Sequence, residues 1–344
     1  MKIRASAPGK LVLTGEYAVL EGAPALVLAV DRRAQVSVEA LPDQAIVIDA
    51  PDLDVVGATA RLDAGGRLVL DDAALAAGGR LALFGSIVES VAALAQLPGF
   101  HAGLDTHAFF SPEPPRRKLG LGSSAALGVA LGGALHALAG LEPTSAGSLI
   151  AAHRRAQGGV GSGLDIAASL AGGLISYVWR EDQPQVTPVD WPAELEFCCA
   201  WSGRPASTGV FLRSLADWRA RAPVRHAALM GDLASCARVA AGALLEHRTD
   251  TLIEAVDAYA AGLARLGAAS GLDIMSAEHR ALRAVAADCG VAYKPCGAGG
   301  GDVGLAVAAD AGRMAAFRRG VLHAGLRILE LQPARQGLRV HRDN

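Results

Sequence analysis

Lys118-Leu119-Gly120-Leu121-Gly122-Ser123-Ser124-Ala125 brings a lysine, two glycines and two hydroxyls to the mouth of a long uncharged run. Glycines at 120 and 122 permit positive φ and close backbone approach. A helix starting beyond them would turn free N–H groups and the positive end of its dipole toward an anion. The stretch reads as a phosphate loop: Ser123 and Ser124 can donate to phosphate oxygens or ligate Mg²⁺, with Lys118 beside the phosphates. The same residues also suit a serine-capped core helix, so the stretch alone leaves both readings open.

Three more stretches carry candidate groups. In residues 7–26, Lys10 follows Pro8-Gly9 between β segments, with Gly15, Glu16 and Tyr17 forming a turn; a Pro-Gly turn in a β meander is the plain alternative. Residues 294–304 hold five glycines after Lys294, together with Asp302, a loop with few side chains to pack and the length to wrap a ligand. Cys296 there reads as a small filler. In residues 156–169, Asp165 follows a glycine loop and begins a short helix, as an N-cap or as a group that orients or deprotonates an acceptor. Three of the chain's four lysines, Lys10, Lys118 and Lys294, lie in or beside these stretches, where a compact ammonium is wanted rather than a planar fork.

Two nucleotide fingerprints compete. Gly120-x-Gly122-x-x-Ala125 and Gly299-x-Gly301-x-x-Gly304 both match the dinucleotide pattern, which needs a strand into its first glycine and a helix out of its last. The first match follows a proline-rich loop and the second leads into a strand, so a dinucleotide oxidoreductase is disfavoured. No G-x-x-x-x-G-K-[ST] occurs, which excludes a Walker-type site.

The elements that must hold these groups emerge from patterning. Residues 2–49 read as short β segments, then come a helix near 78–96, a strand near 101–110, and a loop up to the helix that Ser123 or Ser124 should cap. The polar, proline-bearing 180–194 segment marks a domain boundary. Helices are predicted near 209–218, 223–242, 246–267 and 277–288, and the end reads strand, glycine loop, strand, helix, strand. At 344 residues and 51% hydrophobic content, two domains around one cleft are expected. A net charge of −2 leaves no basic field for nucleic acid or an anionic membrane. Five cysteines without a C-x-x-C pair suit a reducing cytoplasm and argue against zinc. Pro8, Gly9 and Lys10 interrupt any signal-peptide core, and the apolar 119–141 run reads as a buried helix rather than a membrane span.

In order and spacing, "APGKLVLTGEYAVLEGAPAL", "GLGSSAALGVAL" and "GAGGGDVGLAV" resemble the three motifs of the GHMP kinase family, small-molecule kinases, across nearly the whole chain. Within it, "AQGGVGSGLDIAAS", "KLGLGSSAA", "WSGRPAST" and "KPCGAGGGDVG" look most like the phosphomevalonate kinase branch. Mevalonate kinases typically carry a P-S-G-x-D loop and a magnesium-binding glutamate eleven residues before the catalytic aspartate; here the loop is Gly161-Ser162-Gly163-Leu164-Asp165, and Arg154 stands at the glutamate's place.

The resemblance implies a two-domain α+β GHMP kinase fold. Residues 1–185 would form a β-rich N-terminal domain with the phosphate loop and helix, and 186–344 a ferredoxin-like helix-plus-sheet domain. It implies a cytoplasmic, monomeric or homodimeric phosphotransferase of isoprenoid precursor synthesis, using ATP and Mg²⁺ on mevalonate 5-phosphate. Mevalonate kinase, another small-molecule kinase of the family and a non-catalytic ligand-binding relative are the alternatives. Lys10 and Asp165 would be catalytic. ATP would lie on Lys118, Gly120, Leu121, Gly122, Ser123, Ser124 and Ala125, and the metal near Ser123 and Ser124. Acceptor candidates are Ser162, Gly163, Arg204, Ser207, Lys294, Gly297, Gly299, Gly300 and Asp302.

Overall fold

The structure, a computed structural model, describes residues 1–206 and 208–343. The first half comprises β1 (Lys2–Thr14), β2 (Ala25–Ala40), β3 (Ile46–Ala50), β4 (Val55–Leu62), β5 (Leu68–Leu70), α1 (Ala73–Ala77), α2 (Ala82–Ala92), β6 (Phe100–Asp105), α3 (Ser123–Leu138), α4 (Ala146–Ala156), α5 (Leu164–Ala171), β7 (Leu174–Arg180) and β8 (Gln183–Val189). The second half comprises β9 (Glu196–Trp201), α6 (Thr208–Arg221), α7 (Pro223–Leu245), α8 (Thr249–Ser270), α9 (Ala277–Cys289), β10 (Ala292–Pro295), β11 (Val303–Ala308), α10 (Ala311–His323), β12 (Arg327–Leu329) and β13 (Arg339–Asp343).

The longest strand organises the first sheet. β2 pairs β7 along Ala25–Leu28 and β6 along Gln35–Ala40, while β1 covers its other edge throughout. The path runs β13-β1-β2-β6-β3-β4-β5, with β7 and β8 branching from β2. Among the described residues of this sheet, β3 and β6 are the one parallel pair. Apolar residues of α2, α3, α4 and α5 close one face, with Val129, Leu131, Leu135, Ile150 and Ile166 buried among Ile3, Val12, Val27 and Val36. The second sheet runs β10-β11-β9-β12, all antiparallel. In chain order that is the ferredoxin-like arrangement, with α6, α7, α8 and α9 filling the first crossover.

The chain leaves the first sheet after Val189, a few residues beyond the expected division at 185, which falls inside β8. β13 then returns to pair β1, so the C-terminal segment completes the N-terminal sheet. The turn anticipated at Pro8-Gly9 is instead a register shift within a continuous β1. Such a bulge twists the strand locally and re-aims the side chains beyond it. Lys10 comes directly after it, with its amide hydrogen-bonded to Leu121 O at 2.9 Å.

α3 is the central buried helix. A Cβ at Gly132 would stand 2.5 Å from Leu149 Cδ2, and one at Gly133 would stand 2.6 Å from Leu338 Cδ2. The glycines that interrupt the apolar run are therefore packing residues. By length and composition, α7 is the one helix among the described residues apolar enough to cross a membrane. In the fold its Met230, Leu233 and Ala237 pack with Tyr259, Leu263 and Leu266 of α8.

Candidate functional site

α3 begins without a serine cap. Its N-cap is Gly122, at φ 81°, with no side-chain hydrogen bond to the first turn, so the expected capping by Ser123 or Ser124 does not occur. The left-handed conformation at Gly120 and Gly122 folds the loop back, leaving the orphan N–H groups of the first turn available. They open on a cavity of about 400 Å³ lined by Lys118, Gly120, Leu121, Gly122, Ser123, Ser124 and Ala125. All seven residues expected at the donor phosphates line this one cavity.

A second cavity, of about 360 Å³, adjoins it, and Lys10, His153, Gln157, Asp165 and Thr208 line both. Lys10 is 6% exposed. Its stem lies against Gly122, where an added Cβ would stand 3.2 Å from Cε, and its Nζ reaches toward Gly297. Ser162, Gly163 and Gly297 of the acceptor candidates line the second cavity.

Asp165 is not the N-cap of α5. Gly163 is, at φ 86°, and Asp165 lies in the first turn, where its carboxylate faces both cavities. The glycine loop before it is clamped from behind. Arg154 Nε donates to Gly161 O at 2.8 Å and Nη2 to Ser162 O at 3.2 Å, while Tyr177 Oη donates to Ser162 O at 2.6 Å. The Arg154 guanidinium sits 4.0 Å from the Trp179 ring centroid, a cation–π contact that fixes the clamp.

Asp302, expected on the acceptor side, lines the first cavity and not the second. A Cβ on Gly120 would stand 2.2 Å from its Cβ, so a side chain at 120 is barred. Its carboxylate accepts from Ala206 N at 3.2 Å, and its amide donates to Arg204 O at 2.6 Å, tying the strand-to-helix strap before α6 to the third glycine loop. Burial pushes this carboxyl up to about 6, against the pull of the Ala206 amide, Lys10 and Lys118. An acid raised above its unfolded value costs stability once ionised. Asp302→Asn is therefore expected to match the parent below about pH 4 and to exceed it by about 1–3 kcal/mol above pH 6. Melting temperatures measured across that range check this; a constant offset would show that the carboxyl is not raised.

Four acceptor candidates lie elsewhere. Lys294 is fully buried, its ammonium paired with Glu16 and donating to Val12 O at 3.1 Å and Pro295 O at 2.8 Å, so it has no donor left for a substrate. Gly299 packs on Ile274 and Gly300 on Phe211; neither lines either of these two cavities, because these contacts hold the third loop to the helical layer. The Arg204 side chain is exposed and pairs with Glu278 at 3.4 Å, away from both cavities. Ser207 lies outside the described residues. Burial pushes the Cys296 thiol up, in keeping with a filler.

Sequence reasoning missed His153, Gln157 and Glu16. His153 Nε2 lies 3.1 Å from Ser124 Oγ, and burial holds its imidazole below the usual range, partly offset by Asp165. Glu16 lines the second cavity with Oε2 unpartnered.

Among the described residues no three His, Cys, Asp or Glu side chains cluster as a metal cage. The two serine hydroxyls and the Asp165 and Asp302 carboxylates around the first cavity form an oxygen set. That suits Mg²⁺, which takes one or two protein oxygens, waters and substrate phosphates.

The family described as GHMP kinases N terminal domain matches residues 85–173. The phosphomevalonate kinase of Streptomyces sp. strain CL190 is 33% identical over 96% of this chain and 97% of its own. A mevalonate kinase of Pyrococcus furiosus is 32% identical over 52% of each chain. Among solved structures, Streptococcus pneumoniae phosphomevalonate kinase in complex with phosphomevalonate and AMPPNP superposes with a TM-score of 0.76 and 21% identity, over 96% of this chain and 99% of that one.

Proposed function

The chain belongs to the GHMP kinase family, and on that premise we propose that it transfers the γ-phosphoryl group of ATP to the phosphate of mevalonate 5-phosphate, giving mevalonate 5-diphosphate and ADP. The observation that carries the reading is the pair of adjoining cavities with Lys10 and Asp165 on their shared wall. The 33% identity to a phosphomevalonate kinase over 96% of this chain, against 30% identity over 88% of it to a mevalonate kinase, supports that acceptor.

In the reaction, an acceptor phosphate oxygen forms a bond to the γ-phosphorus as the bond to the β-bridging oxygen breaks. The acceptor's second pKa is near 6, so the attacking oxygen is largely ionised at neutral pH and carries no proton to remove. The remaining work is to bring two polyanions together and to stabilise charge on the transferred group. The amides of α3's first turn and Lys118 hold the donor phosphates. Lys10, between the cavities, neutralises the transferred group. Asp165 orients the reacting ends. Ser123, Ser124 and the neighbouring carboxylates would hold Mg²⁺, which would supply charge neutralisation to the donor phosphates.

A residue that orients without accepting a proton tolerates amide replacement. Asp165→Asn is expected to lower kcat about tenfold, below the 10²–10⁴ range of a lost general base, with the pH profile of kcat unmoved. A loss of 10³ or more with a shifted acidic limb would make Asp165 a base. Transfer itself is tested by ³¹P NMR of a reaction mixture: paired diphosphate doublets distinct from ADP, with loss of the acceptor monophosphate resonance, are expected. ADP formation with release of inorganic phosphate alone would contradict transfer.

A further inference from the structure

Besides Asp165, α5 carries one more polar side chain, and the transfer steps above leave it unused. Ser169 is 0% exposed, in a helix whose Ile166, Ala167 and Ala168 are buried as well. Alanine would suit the helix better and fill nearly the same space. A buried hydroxyl needs a partner, and within a helix it commonly takes the carbonyl four residues back. Ser169 instead donates outward, to Pro8 O of β1 at 2.7 Å. Among the described residues that is the one hydrogen bond between α5 and β1. Both ends of it lie beside the site. Ser169 stands one turn after Asp165, on the same face of the helix by its four-residue spacing. Pro8 stands two residues before Lys10, at the register shift that sets Pro8 opposite Arg33 and Gly9 opposite Val30.

We infer that Ser169 is a positioning residue: its bond to Pro8 O fastens α5 to the strand of Lys10, and so sets the Asp165 carboxylate against the group that Lys10 holds. β1 is already tied to the phosphate loop by the Lys10 amide's bond to Leu121 O. What the Ser169 hydroxyl adds to that frame is α5. The other contacts of α5 do not refer it to β1. Arg154 and Tyr177 hold the loop before it at Ser162 O, and Leu338 N of the C-terminal return donates to Leu170 O at 3.1 Å. The inference rests on the role proposed for Asp165, but not on which acceptor is used.

The test is a double-mutant cycle on kcat with Mg²⁺-ATP and mevalonate 5-phosphate, for the parent, Ser169→Ala, Asp165→Ala and the double variant, alongside crystal structures of the parent and Ser169→Ala. Ser169→Ala is expected to lower kcat about tenfold, with either KM changed by less than about twofold, because a small misplacement of an orienting group is felt in the reacting geometry. Its melting temperature is expected to fall by only roughly 2 °C, the loss of one hydrogen bond. In the Asp165→Ala background no carboxylate is left to place, and the same substitution is expected to lower kcat by less than about twofold. In the crystal, α5 is expected to shift on β1 by about 0.5 Å or more. A tenfold loss repeated in full in the Asp165→Ala background would overturn the inference, since a role in packing alone multiplies in that way. A near-parental kcat for Ser169→Ala beside an impaired Asp165→Ala would overturn the inference alone, whereas a near-parental Asp165→Ala would overturn the role of Asp165 and the inference with it. An unmoved α5 would overturn it whichever acceptor the protein uses, because the crystal structures require no turnover.

Discussion

Lys10→Ala is expected to lower kcat about 10³-fold while changing the KM values for either substrate by less than about tenfold. The ammonium sits where the two cavities meet, within reach of a phosphoryl group in flight, and its compensation of charge is greatest in the transition state. An interaction made mainly there appears in kcat. The stem is buried against Gly122, so truncation removes some packing. The adjoining cavities can fill with water, however, and the expected stability loss is about 1–2 kcal/mol. Lys10→Arg should rescue poorly, because the planar guanidinium needs room that Gly122 and Gly297 do not leave. Steady-state kinetics together with a melting curve separate the effects. A kcat within about tenfold of the parent would remove Lys10 from the transferred group.

Lys294→Met is expected to act on stability. Lys294 and Glu16 are 0% and 4% exposed, and removing the ammonium strands a carboxylate whose second oxygen already has no partner. Breaking such a buried pair costs about 3–5 kcal/mol, whereas removing both charges can be nearly neutral. Lys294→Met should therefore lower the melting temperature by roughly 10 °C, and adding Glu16→Gln should recover much of that loss. A single variant with parental stability but raised acceptor KM would restore Lys294 to the substrate site.

These two lysines show what the sequence could and could not tell. Both lie beside a glycine-rich stretch. Lys10 is aimed by a strand bulge and by its amide's bond to Leu121, whereas Lys294 is consumed by a partner 278 positions away in the chain, a pairing no local pattern records. The phosphate loop is legible because its requirement is local: glycines that accept positive φ, then a helix start. Its capping is not, since Gly122 itself takes the N-cap and the serines stay free of that role. Asp165 sits further into its helix than the pattern suggests because Gly163 caps α5 in the same way. His153 escapes notice because one histidine on an amphipathic helix carries no signal until α4 is laid against the start of α3. β1, β2, β3 and β6 are legible from alternation; β4, β5, β7 and β8 are not, and neither is the return of β13 to β1, since five strand residues after a loop do not declare which sheet they join.

The central claim is the acceptor. Initial rates of ADP release with Mg²⁺-ATP, measured side by side for mevalonate, mevalonate 5-phosphate, mevalonate 5-diphosphate, galactose and homoserine, test it most directly. The kcat/KM for mevalonate 5-phosphate is expected to exceed every other by at least about 10²-fold, the discrimination available to a site built around a second charged group. Preferential turnover of mevalonate, or of any acceptor lacking that phosphate, would contradict it.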